Sequence, residues 1–534
     1  MSRFSNRSTR PVRPVAPVVF PLLAAAFSLL ILLSGCAVGP DFKRPESAVP
    51  AQWSAAAPPA ATMPQTKADE VLARWWTVFD DPVLNDLIER AGAANLDLKL
   101  AEARVRQARA TKGIAAGGLG PTLDASGAYQ RSRTPLNART STHAGVTTDL
   151  YQAGFDAGWE IDIFGGRRRN LEAAEADLQA AVESHRDVMV IVIAEVARDY
   201  IQLRAYQQQL VITRQNLAAQ QHSAKLTRER FKGGFVSGLD VANADAQTAT
   251  TAAQIPLLES SARQTIYSLS ILLGEPPAAL DAELSPTGAI PAPGPAVPAV
   301  PIGVPSDLLR RRPDIRQAEA QIHAATARIG VATAELFPKF TIAGSAGFQS
   351  INFGSLFDWV NRFWSVGPSV TWHLFQSGSL RAGVEVQKAL QEQEFIIYRQ
   401  TVLNALQEVE NALIASTKEQ THRDALISAV AANRKAVSLA ETLYTEGQTD
   451  FINVLQAQQS LYSTQDALVQ SNAAVSTDLV ALYKALGGGW DSGDPPQLSC
   501  AAGAHQRQDV IQISVPTASC PNQYRSPISR NLPQ

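Results

Sequence analysis

Two kinds of periodicity take turns along the chain. From residue 151 to 163, Tyr151, Ala153, Phe155, Ala157, Trp159, Ile161 and Ile163 alternate with Gln152, Gly154, Asp156, Gly158, Glu160 and Asp162. From 364 to 375, Trp364, Val366, Pro368, Val370, Trp372 and Leu374 alternate with Ser365, Gly367, Ser369, Thr371 and His373. Shorter runs at about 122–131 and 339–350 repeat the alternation. A period of two predicts strands with one apolar face. Their length suits tilted crossing of a bilayer, and Trp159, Trp364 and Trp372 suit an interfacial belt. A sheet packed on a soluble core alternates in the same way, so the strands alone leave both readings open.

The second periodicity is helical. From about Arg168 to Phe231, and from about Leu380 to Tyr444, no proline interrupts sequence rich in Ala, Gln, Glu, Leu and Arg. Each run predicts a helix about 95 Å long, far beyond the globular norm and suited to a coiled coil or helical cylinder. Val402, Leu406, Val409, Leu413, Leu426, Val430 and Val437 form much of an apolar stripe on the second run. Four strands cannot close a barrel, for which about eight is the minimum, and unpaired backbone is prohibitively costly in lipid. If these strands span a membrane, several copies of the chain must share one barrel.

The chain is internally duplicated. The segment from Asn95 to Ala103 lines up with Arg312 to Ala320, Gly113 with Gly330, and Pro121 with Pro338. Gly233-Gly234 through Val241 lines up with Glu446-Gly447 through Val454. Each copy reads helix, two strands, very long helix, turn, helix. The expected organisation is an extended segment at 36–80, a first repeat at 81–285, a Pro-rich linker at 286–305, a second repeat at 306–490 and a tail at 491–534. Asp81-Pro82 has the make-up of a helix start. Ser306 is expected to cap a short helix that Pro313 stops.

Residues 1–35 have the parts of a secretory signal. Arg3, Arg7, Arg10 and Arg13 precede an apolar run at 22–33, too short to span a bilayer at about 12 residues against ~20. Leu33-Ser34-Gly35-Cys36 resembles the bacterial lipoprotein box, which makes Cys36 the acylated first residue of the mature chain. Ala37 follows it in place of the aspartate associated with inner-membrane retention, which implies the outer membrane of a Gram-negative bacterium. Cys500 and Cys520 would then face an oxidising compartment, where pairing is open to them.

Composition narrows the function. The 534 residues carry 47 Lys plus Arg against 49 Asp plus Glu, which argues against a nucleic-acid binder. Only 18% of residues are charged, below the roughly 25% of typical soluble proteins. The three cysteines and scattered histidines show no metal-ligand spacing. Gly113 to Gly120 lacks the Gly-Lys-Ser/Thr ending of a phosphate loop. No enzyme, cofactor or metal site is expected.

Three motifs in order carry a family resemblance: Trp75-Trp76 with Phe79 and Asp81-Pro82; Pro305 through Arg316, including Arg310-Arg311-Arg312; and Tyr444-x-x-Gly447 with Val454-Leu455-x-Ala457-Gln458. With the duplication, the chain from Cys36 to about Trp490 resembles the TolC-like outer-membrane efflux proteins, in their NodT-type lipoprotein branch. The resemblance implies a mainly α homotrimer, with a twelve-stranded membrane β-barrel continuous with a long periplasmic α-helical barrel. It also implies a passive conduit in a tripartite efflux system of the resistance-nodulation-division type. Its partners would be a periplasmic adaptor, an inner-membrane transporter and outer-membrane lipid. By the same resemblance the pore narrows near the second turn, at Ile452 and Gln456, with Asp450 nearby. The adaptor would meet the turns at Gly234, Val236, Ser237, Gly447 and Thr449. Some members have an aspartate where Gln456 stands and an arginine where Leu443 stands, so a latch at those two positions is not available. If polar strand faces line the lumen, Asp156, Glu160 and Asp162 are candidates for an acidic belt. A conduit for protein secretion and a non-conducting coiled-coil scaffold are the competing readings.

Overall fold

A computed structural model describes residues 37–46, 49–54, 65–133, 135, 146–293 and 300–490. Cys36, Cys500 and Cys520 lie outside them, as do the signal and the tail. The elements are α1 (Gln65–Ala73), α2 (Pro82–Ala94), α3 (Leu96–Gly117), β1 (Thr122–Arg133), β2 (Thr147–Ile161), α4 (Gly166–Lys232), α5 (Gly238–Leu272) and α6 (Asp281–Leu284). They continue as α7 (Pro305–Arg311), α8 (Pro313–Ala334), β3 (Lys339–Ser350), β4 (Arg362–Thr371), α9 (Ser379–Thr445) and α10 (Phe451–Ala485). The duplication is metrically close: α3 and α8 each have 22 residues, α4 and α9 have 67, and α5 and α10 have 35. At 1.5 Å per residue the two long helices reach about 100 Å. Strand ends differ from expectation by a few residues: β2 starts before 151 and stops before 163, and β4 occupies 362–371 rather than 364–375.

Local chemistry starts these helices. The Asp81 carboxylate accepts from the N–H groups of Val83 and Leu84 at 2.9 and 3.1 Å, ahead of Pro82 in the first turn of α2. Asn95 does the same for α3 and also donates to the Leu272 carbonyl at 2.8 Å. Ser237 and Asp240 form a capping box on α5. Ser306 is not a cap: Pro305 takes the first turn of α7 and the Asp307 carboxylate accepts from the Val304 N–H at 3.1 Å. Ser306 therefore falls inside the helix.

The strands form one antiparallel sheet in the order β1-β2-β3-β4, which leaves β1 and β4 as open edges. Register puts Leu123, Ala157, Phe155, Ile342, Val366 and Val370 on one face. Among the described residues most of that face is uncovered: Phe155 and Val366 are 58% and 70% exposed. Beneath the sheet, α3, α4, α8 and α9 lie side by side, with the hairpins α4–α5 and α9–α10 packed together. The main core sits part-way along the helices. There Trp75 stacks on Tyr483 with ring centroids 5.4 Å apart, and Leu84, Leu87, Val196, Ile201 and Leu269 are fully buried. The motif residues hold this girdle. Tyr200 donates to Asp81 at 3.0 Å, and Arg312 pairs with Asp314 and Glu408 and donates to the Ala485 carbonyl at 2.9 Å. Arg311 pairs with Asp69.

Residues 37–46 and 49–54 form a strap over this body. Val38 donates to the Phe164 carbonyl at 3.0 Å, Asp41 pairs with Arg169 at 2.6 Å, and Phe42 stacks on His323 at 4.4 Å. Further on, Arg44 meets Glu319 at 2.7 Å and Trp53 donates to the Gly303 carbonyl at 3.0 Å. The strap can lie so close because Gly39 faces Gly330 backbone to backbone. A Cβ added at Gly39 would stand 2.5 Å from the Gly330 Cα.

Candidate gate and lumen

At the far ends of the hairpins the two turns are built alike. Gly234 and Gly447 take φ of +76° and +79°, the left-handed region in which side chains other than glycine are strained. Val236 of the first turn packs on a small core of Ala224, Ala244, Tyr444, Phe451, Val454 and Leu455. Ser237 is spent on the capping box, and Thr449 accepts from the Asn453 amide at 2.7 Å. Asp450 precedes α10 without making a side-chain cap bond. Ile452 and Gln456 lie one helical turn apart and are both exposed, so they share a face that the protomer leaves uncovered. The expected gate residues therefore cluster at one tip, away from its core.

One residue there escaped the sequence reading. Arg230, in the last turn of α4, reaches across to the last turn of α9. Its Nη1 donates to the Tyr444 carbonyl and, at 3.3 Å, to that of Thr445, and its guanidinium lies 4.7 Å from the centre of the Tyr444 ring. Tyr444 is itself buried and its hydroxyl lies 3.4 Å from that of Thr227. The last carbonyls of a helix lack partners within it and sit at its negative end, so a cation there is doubly favoured. The repeat contained the signal: in the register that aligns Gly234 with Gly447, Arg230 occupies the place of Leu443. The arginine absent from the second copy stands in the first.

The polar face of the sheet carries Thr122, Asp124, Ser126, Gly154, Asp156, Thr341, Ser345, Ser365 and Ser369. These side chains are short and many bond each other, as Thr341 does to Ser369 at 2.6 Å and Ser345 to Ser365 at 2.7 Å. The three candidate lumen acids do not act as a set. Asp156 accepts from the Ser126 hydroxyl at 2.8 Å and stands opposite Asp124. Glu160 pairs with Arg167 at 2.7 Å. Asp162 lies beyond the end of β2, where it accepts from the Arg167 and Arg168 N–H groups at 3.1 and 2.8 Å and so starts α4. Asp124 is the acid that the strand pattern did not single out. Among the described residues no three His, Cys, Asp or Glu converge on a common point.

A sheet with one bare apolar face, one polar face and two open edges, carried on helices of 67 residues, defines the protomer of a trans-envelope channel. Known proteins agree. The pattern that defines the family described as "Outer membrane efflux protein" matches residues 87–275 and 304–488. The chain belongs to that family. It is 32% identical over 462 residues to Nodulation protein T of Rhizobium leguminosarum bv. trifolii, covering 86% of this chain and 96% of that one. It is 33% identical over 473 residues to the pyoverdine export outer membrane protein OpmQ of Pseudomonas aeruginosa, covering 87% and 96%. Among solved structures, the outer-membrane channel OprN superposes with a TM-score of 0.77 at 36% identity, over 85% of this chain and all of that one. The protein is thus an outer-membrane efflux channel of the NodT-type lipoprotein branch, with the fold of the trimeric channels: a helical barrel continuous with a β-barrel.

Proposed function

We propose that this chain is the passive exit duct of a tripartite pump for small toxic compounds, lipid-anchored at Cys36 and gated at its periplasmic tip. Three copies join β4 of one to β1 of the next, which makes twelve strands and removes every edge. A periplasmic adaptor docks on the two turns, six in the trimer, and an inner-membrane transporter supplies the energy. The observation that carries the reading is the two-faced sheet with open edges: its apolar face needs lipid and its backbone needs neighbours. A cargo of small molecules agrees with the relative named for pyoverdine export.

In the resting state Ile452 and Gln456 of three copies close the bore, and the Arg230–Tyr444 contact holds the second hairpin against the first. Opening turns α9–α10 outward and breaks that contact. In the barrel, Asp124 and Asp156 form the acidic belt, with Glu160 and Asp162 neutralised by their arginines. The anchor fits the geometry: Ala37, next after Cys36, lies against Gly165, where sheet passes into helix. Reconstitution into planar bilayers tests the duct. Stepwise conductance that rises in the double variant Ile452→Ala, Gln456→Ala supports it, and a trimer without conductance sinks it.

A further inference from the structure

The outer end of the sheet carries a surface that conduction does not require. On the lipid-side face, Tyr151 and Trp159 are eight residues apart along β2, about 26 Å of strand. At the roughly 35–45° tilt of barrel strands that is about 20 Å of height, most of an apolar barrel band of about 25 Å. Trp159 thus marks the periplasmic rim, where its Nε1 donates to the Leu119 carbonyl at 3.0 Å. Tyr151 marks the outer rim, stacked 4.8 Å from Tyr129. At that rim the same face turns basic. Arg131 and Arg133 end β1 beyond Tyr151, Arg362 begins β4 level with Phe348 and Ala153 just below it, and all three keep the parity of the apolar residues.

The β3–β4 connection folds back over this rim. Phe353 packs on Tyr151 at 5.5 Å and Phe357 on Phe348 at 5.8 Å, both on the lipid side. Phe353 and Trp359 are nevertheless 68% and 73% exposed. Arg362 lies 4.4 Å from the centre of the Trp359 ring and donates to its carbonyl at 2.7 Å, which fixes cation and aromatic as one unit. Asp149 is the opposing acid of the strands: it accepts from the Tyr129 hydroxyl at 2.9 Å and meets Arg131 loosely at 3.6 Å. With Asp358 on the connecting loop, three arginines face two acids, so the rim stays net basic.

We infer that this rim binds a phosphorylated, multiply acylated glycolipid of the outer leaflet, the arginines taking its phosphates and the Phe353–Trp359 loop lying among its acyl chains. Charge chooses this occupant. Arginine facing hydrocarbon is costly at mid-bilayer and tolerated at head-group level, so the three guanidinium groups stand where lipid phosphates stand. Guanidinium forks match phosphate geometry, and exposed aromatics below them suit the acyl boundary. Joining β4 to a neighbour's β1 places the Arg362 edge of one copy beside the Arg131–Arg133 edge of the next, so each site sits at a seam. The inference rests on the apolar face being the lipid face.

The test titrates detergent-solubilised wild-type trimer with bis-phosphorylated lipid A, fully dephosphorylated lipid A, phosphatidylglycerol and inorganic phosphate. Wild type should prefer the bis-phosphorylated form by about tenfold to a hundredfold, from roughly one tenfold step or less per arginine. R131Q/R133Q/R362Q should bring binding down to the dephosphorylated level, and inorganic phosphate should not compete. If the triple variant fails to assemble, the single variants each lose a few fold. Unchanged binding by the variants overturns the proposal, as does equal binding of the dephosphorylated form or of phosphatidylglycerol. A W359A substitution that splits the trimer gives the surface to a second copy of the chain instead. Conductance is read separately, so failure here leaves the duct intact and a non-conducting trimer leaves the lipid site testable.

Discussion

Replacing Arg230 by glutamine should make the closed channel leak. In the protomer Arg230 supplies two bonds to the terminal carbonyls of α9 and a stacking contact on the Tyr444 ring. Hydrogen bonds to a charged group contribute about 1.5–3 kcal/mol when partly buried, and an exposed guanidinium on an aromatic ring about 0.5–1 kcal/mol. Water recovers part of this once the hairpins separate, which leaves about 2 kcal/mol favouring the closed tip. That is roughly a thirtyfold change in the closed-to-open ratio per chain. Lysine should fall between the two, because an ammonium replaces the charge but neither the fork nor the stack. The assay is closed-state conductance in planar bilayers, with trimer integrity checked on the same preparation. R230Q trimers that conduct no more than wild type would refute the latch.

Further outcomes follow from the same geometry. Burial, with Asp314 close by, pushes Asp187 up to about 6, while Arg312 and Lys484 pull it down. The fold therefore loses stability as pH rises from the ordinary carboxylate value of 3.8 to about 6, with the full cost present above 6 and none at low pH. Asp187→Asn should gain about 2 kcal/mol over wild type at pH 8 and nothing at pH 4 in thermal unfolding, discounting for partial exposure; an equal gain at both would refute the assignment. Asp156→Asn should reduce cation preference in reversal-potential recordings, and Glu160→Gln, which removes an acid already paired, should change it less. Gly39→Ala, whose Cβ would stand 2.5 Å from the Gly330 Cα, should drive the strap from α8, costing about 1–3 kcal/mol and exposing the strap to proteolysis; a strap as protected as in wild type would count against close packing.

Much of this was legible in the chain, for reasons tied to particular residues. Period-two runs with tryptophans and proline-free stretches of matching length left little else for the strands and long helices to be, and the repeat placed both turns at their glycines. Strand ends slipped by a few residues because alternation continues past the ladder: Ile163 and Trp372 keep the parity but not the pairing. Ser306 misled because Pro305 starts the helix one residue earlier and Asp307 does the capping. Asp162 kept the parity of a lumen residue and was recruited by the start of α4 instead. Arg230 went unseen because its partner is backbone, and a carbonyl leaves no mark in a sequence. The roles of Ile452, Gln456 and Asp450 depend on neighbouring copies, and one chain can show only that their side of the tip is bare.

The claim beneath the whole account is that one chain holds four strands of a barrel that three chains complete. Native mass measurement of the mature protein released from detergent addresses it directly. Three copies, each with an acyl mass on Cys36, is the predicted result. A single copy that stays dissolved in water without detergent would contradict it.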